Sequence, residues 1–167
     1  MQHIIQLSLR RNLFLLSLLF IFLYSQPVHS QEEWFLHSTI GQITCIAHEG
    51  NGTMWVGTSG AGVIKYEGMT WTHYHTLNSD LPDNRIRSIT IQPDGTKWFG
   101  TAFGLAKYDG TTWTVYHAMT SSLPEDYIQC ALSESNSLNW FGLSGYGLLK
   151  IDGSSWVNYT KYNTPLP

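Results

Sequence analysis

The residues best suited to chemistry are two histidines, two cysteines and two glycine-rich runs. His73 and His75 stand two apart; on a strand, alternate residues share a face, so both rings could reach one metal ion. Cys45 and Cys130 could pair or act as free thiols. The runs GTSGAG (Gly57 to Gly62) and GLSGYG (Gly142 to Gly147) have the glycine density of a phosphate-binding loop or a nucleophile elbow.

Each of these readings weakens in its surroundings. Neither glycine run is followed by Lys-Ser or Lys-Thr, and neither opens a helix. His117 stands one interval beyond His75 in the same pattern, which makes that histidine part of a repeated scaffold rather than a ligand. Cys45 and Cys130 occupy equivalent positions two intervals apart, with Ser88 between them. That separation is too great for a disulfide, whose Cα atoms lie within about 7 Å, so two small buried thiols are expected. His37 and His48 have no partner in the pattern and read as surface or packing residues. Asp109 and Asp152 sit in turns, where Asp accepts backbone hydrogen bonds, and no carboxylate pair stands out as a general acid and base. The expectation is a chain with no catalytic residue, no metal site and no cofactor.

The interval itself is the dominant signal. Trp55, Trp98 and Trp140 are separated by 43 and 42 residues, and Trp71, Trp113 and Trp156 by 42 and 43. Gly57, Gly100 and Gly142 recur in step, as do Leu81-Pro82, Leu123-Pro124 and Leu166-Pro167. The one-residue differences all arise in the loop that ends at Gly62, Gly104 and Gly147. Within each unit the pattern predicts four strands. In the middle unit Ile86 to Ile91 alternates, Ile86, Ser88 and Thr90 against Arg87, Ile89 and Ile91. Asp94-Gly95 predicts a two-residue turn into a second strand around Trp98. Gly104 reverses the chain into a third strand, and Asp109-Gly110 turns it into a fourth around Trp113. Four short antiparallel strands in about 40–45 residues, with periodic glycine and aromatics, is the pattern of a β-propeller blade. Stacked blades bury one another's aromatics, and a buried Trp removes about 150–250 Å² from water, roughly 4–6 kcal/mol gross.

The first thirty residues read as a signal peptide: Arg10 and Arg11, an apolar run from Leu13 to Tyr24, then a polar stretch with Val28 and Ser30 before the cleavage point. The apolar run is shorter than the roughly 20 residues of a spanning helix, so no membrane span is expected after cleavage, and a periplasmic or secreted location is. Beyond residue 30 lie all twelve acidic and seven of the nine basic residues, a net charge of −5. No basic patch suited to nucleic acid is visible.

The string DGTKWFGTAFGLAKYDGTTWTVYHAMTSSLPEDYI resembles the two-component regulator propeller repeat, with its Gly-Thr step, Gly-Leu, Tyr-Asp-Gly turn, second Trp and closing Leu-Pro. Three copies run from about Thr39 to Pro167; the third departs at Leu143 and Ile151. The resemblance implies an all-β fold of about three blades, an incomplete propeller. It also implies ligand sensing, as in periplasmic propellers of bacterial hybrid sensor kinases that respond to polysaccharide breakdown products. Partner binding, as in a surface component of a secretion system, is the alternative, and a propeller lyase or hydrolase a remoter one. The expected divisions are a signal peptide (1–30), a leading outer strand (31–38, around Trp34 to His37) and repeats over 39–82, 83–124 and 125–167. Such propellers close with more blades than three, so the favoured reading is a truncated product or N-terminal piece of a longer sensor-type protein. The rival is self-association of short chains into a ring. Binding is expected on the face with variable loops, at Ser59, Phe103, Ser144 and Tyr146 with Asn84 and Arg85, for an oligosaccharide or other extracellular ligand.

Overall fold

The computed structural model describes residues 41–164; the expected signal peptide and leading strand lie outside them. Twelve strands form three four-stranded antiparallel sheets, each in sequential order. Blade 1 contains β1 (Ile43–His48), β2 (Met54–Thr58), β3 (Val63–Glu67) and β4 (Thr70–Tyr74). Blade 2 contains β5 (Ile86–Ile91), β6 (Lys97–Thr101), β7 (Gly104–Tyr108) and β8 (Trp113–Tyr116). Blade 3 contains β9 (Ile128–Ser133), β10 (Leu138–Leu143), β11 (Gly147–Asp152) and β12 (Ser155–Tyr159). The described residues contain no helix. The architecture is that of propeller blades.

Alternation along the strands gives each blade two faces, and both carry aromatics. The face turned towards the next blade, here the trailing face, holds Trp55 and Tyr74 in blade 1 and Trp98 and Tyr116 in blade 2. The opposite, leading face holds Phe99 and Trp113 in blade 2 and Phe141 and Trp156 in blade 3. The two junctions are built alike. Trp55 meets Phe99 at 5.6 Å and Tyr74 meets Trp113 at 5.7 Å between ring centroids. Trp98 meets Phe141 at 5.3 Å and Tyr116 meets Trp156 at 5.1 Å. Two hydrophobic cores result, one per junction. The two tryptophan series thus do different work. Trp55 and Trp98 are buried inside a junction, whereas Trp71, Trp113 and Trp156 are half-buried on leading faces.

Glycine is required where backbone meets backbone or a neighbouring blade. A Cβ on Gly57 would lie 2.5 Å from Cys45 Sγ and 2.7 Å from Ile86 of the next blade; on Gly100 it would meet Ser88 and, at 2.7 Å, Ile128. Gly62, Gly104 and Gly147 open the third strand of each blade at φ of 90°, 119° and 85°.

Three expectations need correction. The turn after the first strand is not a two-residue hairpin: Glu49 N–H donates to Thr53 O and Gln92 N–H to Thr96 O, leaving three residues in the loop. Asn51 and Asp94 accept from the backbone of Thr53 and Thr96, which stabilises the longer loop. The simple alternation of Ile86 to Ile91 is broken by a bulge, since Ile86 pairs with Thr101 but Ser88 with Gly100; the same shift occurs between Ile43 and Cys45 and opposite Gly142 and Leu143. Finally, the thiols are not both buried. Cys45 is half-buried and Cys130 exposed, because the second blade covers the first thiol and nothing among the described residues covers the other.

Candidate functional site

Strand direction sorts the connections to two ends of the stack. The starts of β1, β5 and β9, the turns β2–β3, β6–β7 and β10–β11, and the long connections β4–β5 and β8–β9 share one end. Backbone hydrogen bonds tie these pieces together: Gly62 to Asn84 O, Ala102 to Arg85 O, Gly104 to Asp126 O and Ser144 to Tyr127 O. All six residues expected to bind, Ser59, Phe103, Ser144, Tyr146, Asn84 and Arg85, lie at this end.

They do not have equal freedom. Asn84 Oδ1 accepts from Thr76 N–H, and Asp126, its equivalent one blade on, accepts from Ala118 N–H in the same way; the position fastens a connection. Arg85 is paired with Asp83, its guanidinium 2.8 Å from one carboxylate oxygen. That hydrogen bond is the main reason the Asp83 carboxyl lies below the usual carboxylate range. Ser59 is exposed and its N–H donates to Gln42 O. Phe103 and Tyr146 remain 56% and 50% exposed, a large apolar area for loop tips. Phe103 touches the His117 ring at 5.8 Å, and His117 Nδ1 stands 3.7 Å from Asp126.

The bulges add residues that sequence reasoning missed. Thr44, Arg87 and Gln129 are the extra residues opposite Gly57, Gly100 and Gly142, and a bulge re-aims a side chain. Arg87 lies over the Tyr127 ring at 5.3 Å, and Gln129 Nε2 donates to Ser144 Oγ at 3.2 Å. Their signal was present in the sequence: positions 44, 87 and 129 differ in type while their neighbours hardly do. The result is a belt of aromatic and polar groups on blades 2 and 3, joining Phe103, His117, Arg87, Tyr127, Gln129 and Ser144. Such a mixture can stack on an apolar ring face while hydrogen-bonding its substituents.

The histidine pair is committed locally. His73 Nε2 contacts Ala61 O, and His75 Nδ1 accepts from Leu77 N–H, although the rings lie 4.9 Å apart. Among the described residues no group of three His, Cys, Asp or Glu side chains is placed to hold a metal. At the opposite end an open concavity of about 480 Å³ is lined by His48, Asn51, Gln92, Asp94 and Ser133, but Asn51 and Asp94 are engaged in their own loops.

No protein family profile matches the chain, and no curated protein sequence matches it. Solved structures do. The extracellular domain of a hybrid two-component system from B. thetaiotaomicron is 22% identical with a TM-score of 0.63, over 72% of this chain and 17% of that one. Virginiamycin B lyase from Staphylococcus aureus is 20% identical with a TM-score of 0.57, over 72% of this chain and 41% of that one. PorZ, a surface component of the type-IX secretion system of Porphyromonas gingivalis, is 16% identical with a TM-score of 0.55, over 75% and 22%. The chain therefore spans less than half the length of each of these structures. At such identities the likeness is one of fold, and it agrees with blade stacking: these twelve strands form part of a β-propeller scaffold.

Proposed function

We propose that this chain is a non-catalytic, extracytoplasmic ligand-binding propeller module of sensor type, with an oligosaccharide as the first ligand class to test. The belt of Phe103, Arg87, Tyr127, Gln129 and Ser144 carries the reading. Phe103, Arg87, Tyr127 and Gln129 vary between blades whose packing positions repeat, Ser144 repeats Ser59, and all stand at one end of the stack. The likeness to an extracellular domain of a two-component system supports the location and the sensing role. Melting curves with panels of oligosaccharides test it: one ligand class should raise the Tm, and Phe103→Ala or Arg87→Ala should abolish the rise while leaving the unliganded Tm within about 2 °C. No response to any glycan, or a response indifferent to both substitutions, would overturn it.

A second reading, a protein-interaction module, has its own observation. Leu77, Met119 and Tyr162 occupy equivalent positions in the three connections that follow the fourth strands, and they are 90%, 95% and 87% exposed. An apolar side chain displayed at the same tip of every blade suits a protein surface. Capture of one stable partner, lost when all three become serine and independent of sugar, would replace the first reading by this one.

A further inference from the structure

Each junction carries a polar latch as well as stacked rings. Glu49, just after the inner strand of blade 1, meets Lys97, which opens the second strand of blade 2, at 2.8 Å; their side chains are 16% and 9% exposed. One blade on, Gln92 Nε2 donates to Asn139 Oδ1 at 3.0 Å across the next junction, and Gln92 and Asn139 are both buried. The positions are equivalent, so an acid faces a cation and an amide faces an amide. Glu134 holds the third position of this series. It accepts the Trp140 indole N–H at 2.9 Å, as Glu49 accepts that of Trp55 at 2.6 Å, and no latch partner reaches it among the described residues.

The face around Glu134 repeats the covered ones at most positions, with Leu132 standing where they carry Ala47 and Thr90. Trp140, Gly142, Cys130 and Tyr159 stand where Trp98, Gly100, Ser88 and Tyr116 stand, and Lys150 lies over Trp140 at 5.8 Å as Lys107 lies over Trp98 at 5.6 Å. It is an open apolar hollow of about 430 Å³ with Leu132 57% exposed. Among the described residues a Cβ on Gly142 would meet Cys130 Sγ alone, and none of them supplies the branched side chain that fills this place at the other junctions.

We infer that this face docks a further blade selected by charge: one carrying Ile over Gly142, aromatics over Trp140 and Tyr159, and a lysine or arginine opposite Glu134. The inference is independent of the ligand belt at the end of the stack. A second copy of this chain is the poorer occupant. Its blade 1 would set Met54 at the latch position, leaving Glu134 covered and unpaired, which is costly.

The test extends the chain after Pro167 with a copy of residues 83–124, which supplies all four features, and follows alkylation of Cys130 with Cys45 as internal reference. In the unextended chain Cys130 reacts fast and the chain is monomeric by sedimentation. The copy slows Cys130 at least about tenfold, the effect of about 1.4 kcal/mol of closure. A copy bearing Lys97→Glu loses that protection, Glu134→Lys restores it, and the milder Lys97→Met copy falls between. Undiminished reactivity in the extended chain overturns docking. Equal protection by the Lys97→Glu copy overturns selection by charge. A dimer with Cys130 already shielded overturns the choice of occupant in favour of a second copy.

Discussion

The trailing faces of blades 1 and 2 are covered, and that of blade 3 is open. Their residues scarcely differ, yet their physical states do. Trp55 and Trp98 are 1% and 3% exposed, whereas Trp140 is only half-buried. Gly57 and Gly100 are pressed by an isoleucine of the following blade, whereas Gly142 is not. Hydrogen bonding completes each sheet by itself; the indoles of the Trp55 series become fully buried only at a junction. The comparison therefore separates what a blade contributes alone from what a neighbour adds.

The largest expected effect is at the indoles. Trp55→Ala and Trp98→Ala should each cost about 3–5 kcal/mol in urea unfolding, the usual loss for a buried large aromatic. Trp140→Ala should cost about 1–2 kcal/mol, since less area leaves a packed environment. Equal losses at all three sites would break the comparison. The glycines come next. Gly100→Ala and Gly57→Ala should cost about 1–3 kcal/mol, as overpacking does, because the added methyl meets a β-branched side chain held by its own sheet. Gly142→Ala should cost less than about 1 kcal/mol, because Cys130 can turn away from it. A penalty at Gly142 matching that at Gly100 would show that the strand, not the junction, demands glycine there.

These two contrasts also mark what the sequence made legible. The period of Trp55, Trp98 and Trp140 and the recurrence of Gly57, Gly100 and Gly142 identified the blades, because packing demands the same side-chain volume at the same place each time. The bulges at Thr44, Arg87 and Gln129 were not read, since a bulge follows from backbone register and has no turn residue to announce it. Arg87 and Gln129 were missed for that reason, while Asn84 entered as a binding candidate although Asp126 repeats its fastening role. Cys130 was expected to be buried by analogy with its inner-strand position; burial of a face depends on the next sheet, which no residue of its own strand specifies.

The latch gives a smaller effect with a pH signature. Burial alone would raise the Glu49 carboxyl, but the hydrogen bonds from Lys97 and the Trp55 indole outweigh it and hold it below its ordinary value. A depressed carboxyl stabilises the fold above the unfolded value, about 4.3, and that stabilisation is lost as pH falls through the lower folded value. Lys97→Met should therefore cost about 1–2 kcal/mol near pH 7, below the 3–5 of a fully buried pair because Glu49 keeps the indole donor. The gap between the two proteins should narrow as pH is lowered from about 6 to about 3. A gap that is constant with pH would mean that Lys97 acts through its ammonium over the Trp55 ring, 5.2 Å from the centroid, rather than through Glu49.

The smallest effect is a gain. Ser88 Oγ is buried at the second junction with no hydrogen-bond partner among the described residues, at the position that Cys45 and Cys130 occupy in the other blades. A hydroxyl removed from water without a partner is costly, and a thiol is a small apolar group that loses little on burial. Ser88→Cys should stabilise the chain by about 0.5–1.5 kcal/mol, seen as a higher urea midpoint at unchanged m-value. The reverse change sharpens the contrast: Cys45→Ser should destabilise by a similar amount, since the second blade covers that thiol, and Cys130→Ser should fall within about 0.5 kcal/mol of the parent, since the exposed hydroxyl keeps its water. If Cys130→Ser costs as much as Cys45→Ser, burial by a neighbouring blade is not what distinguishes the faces.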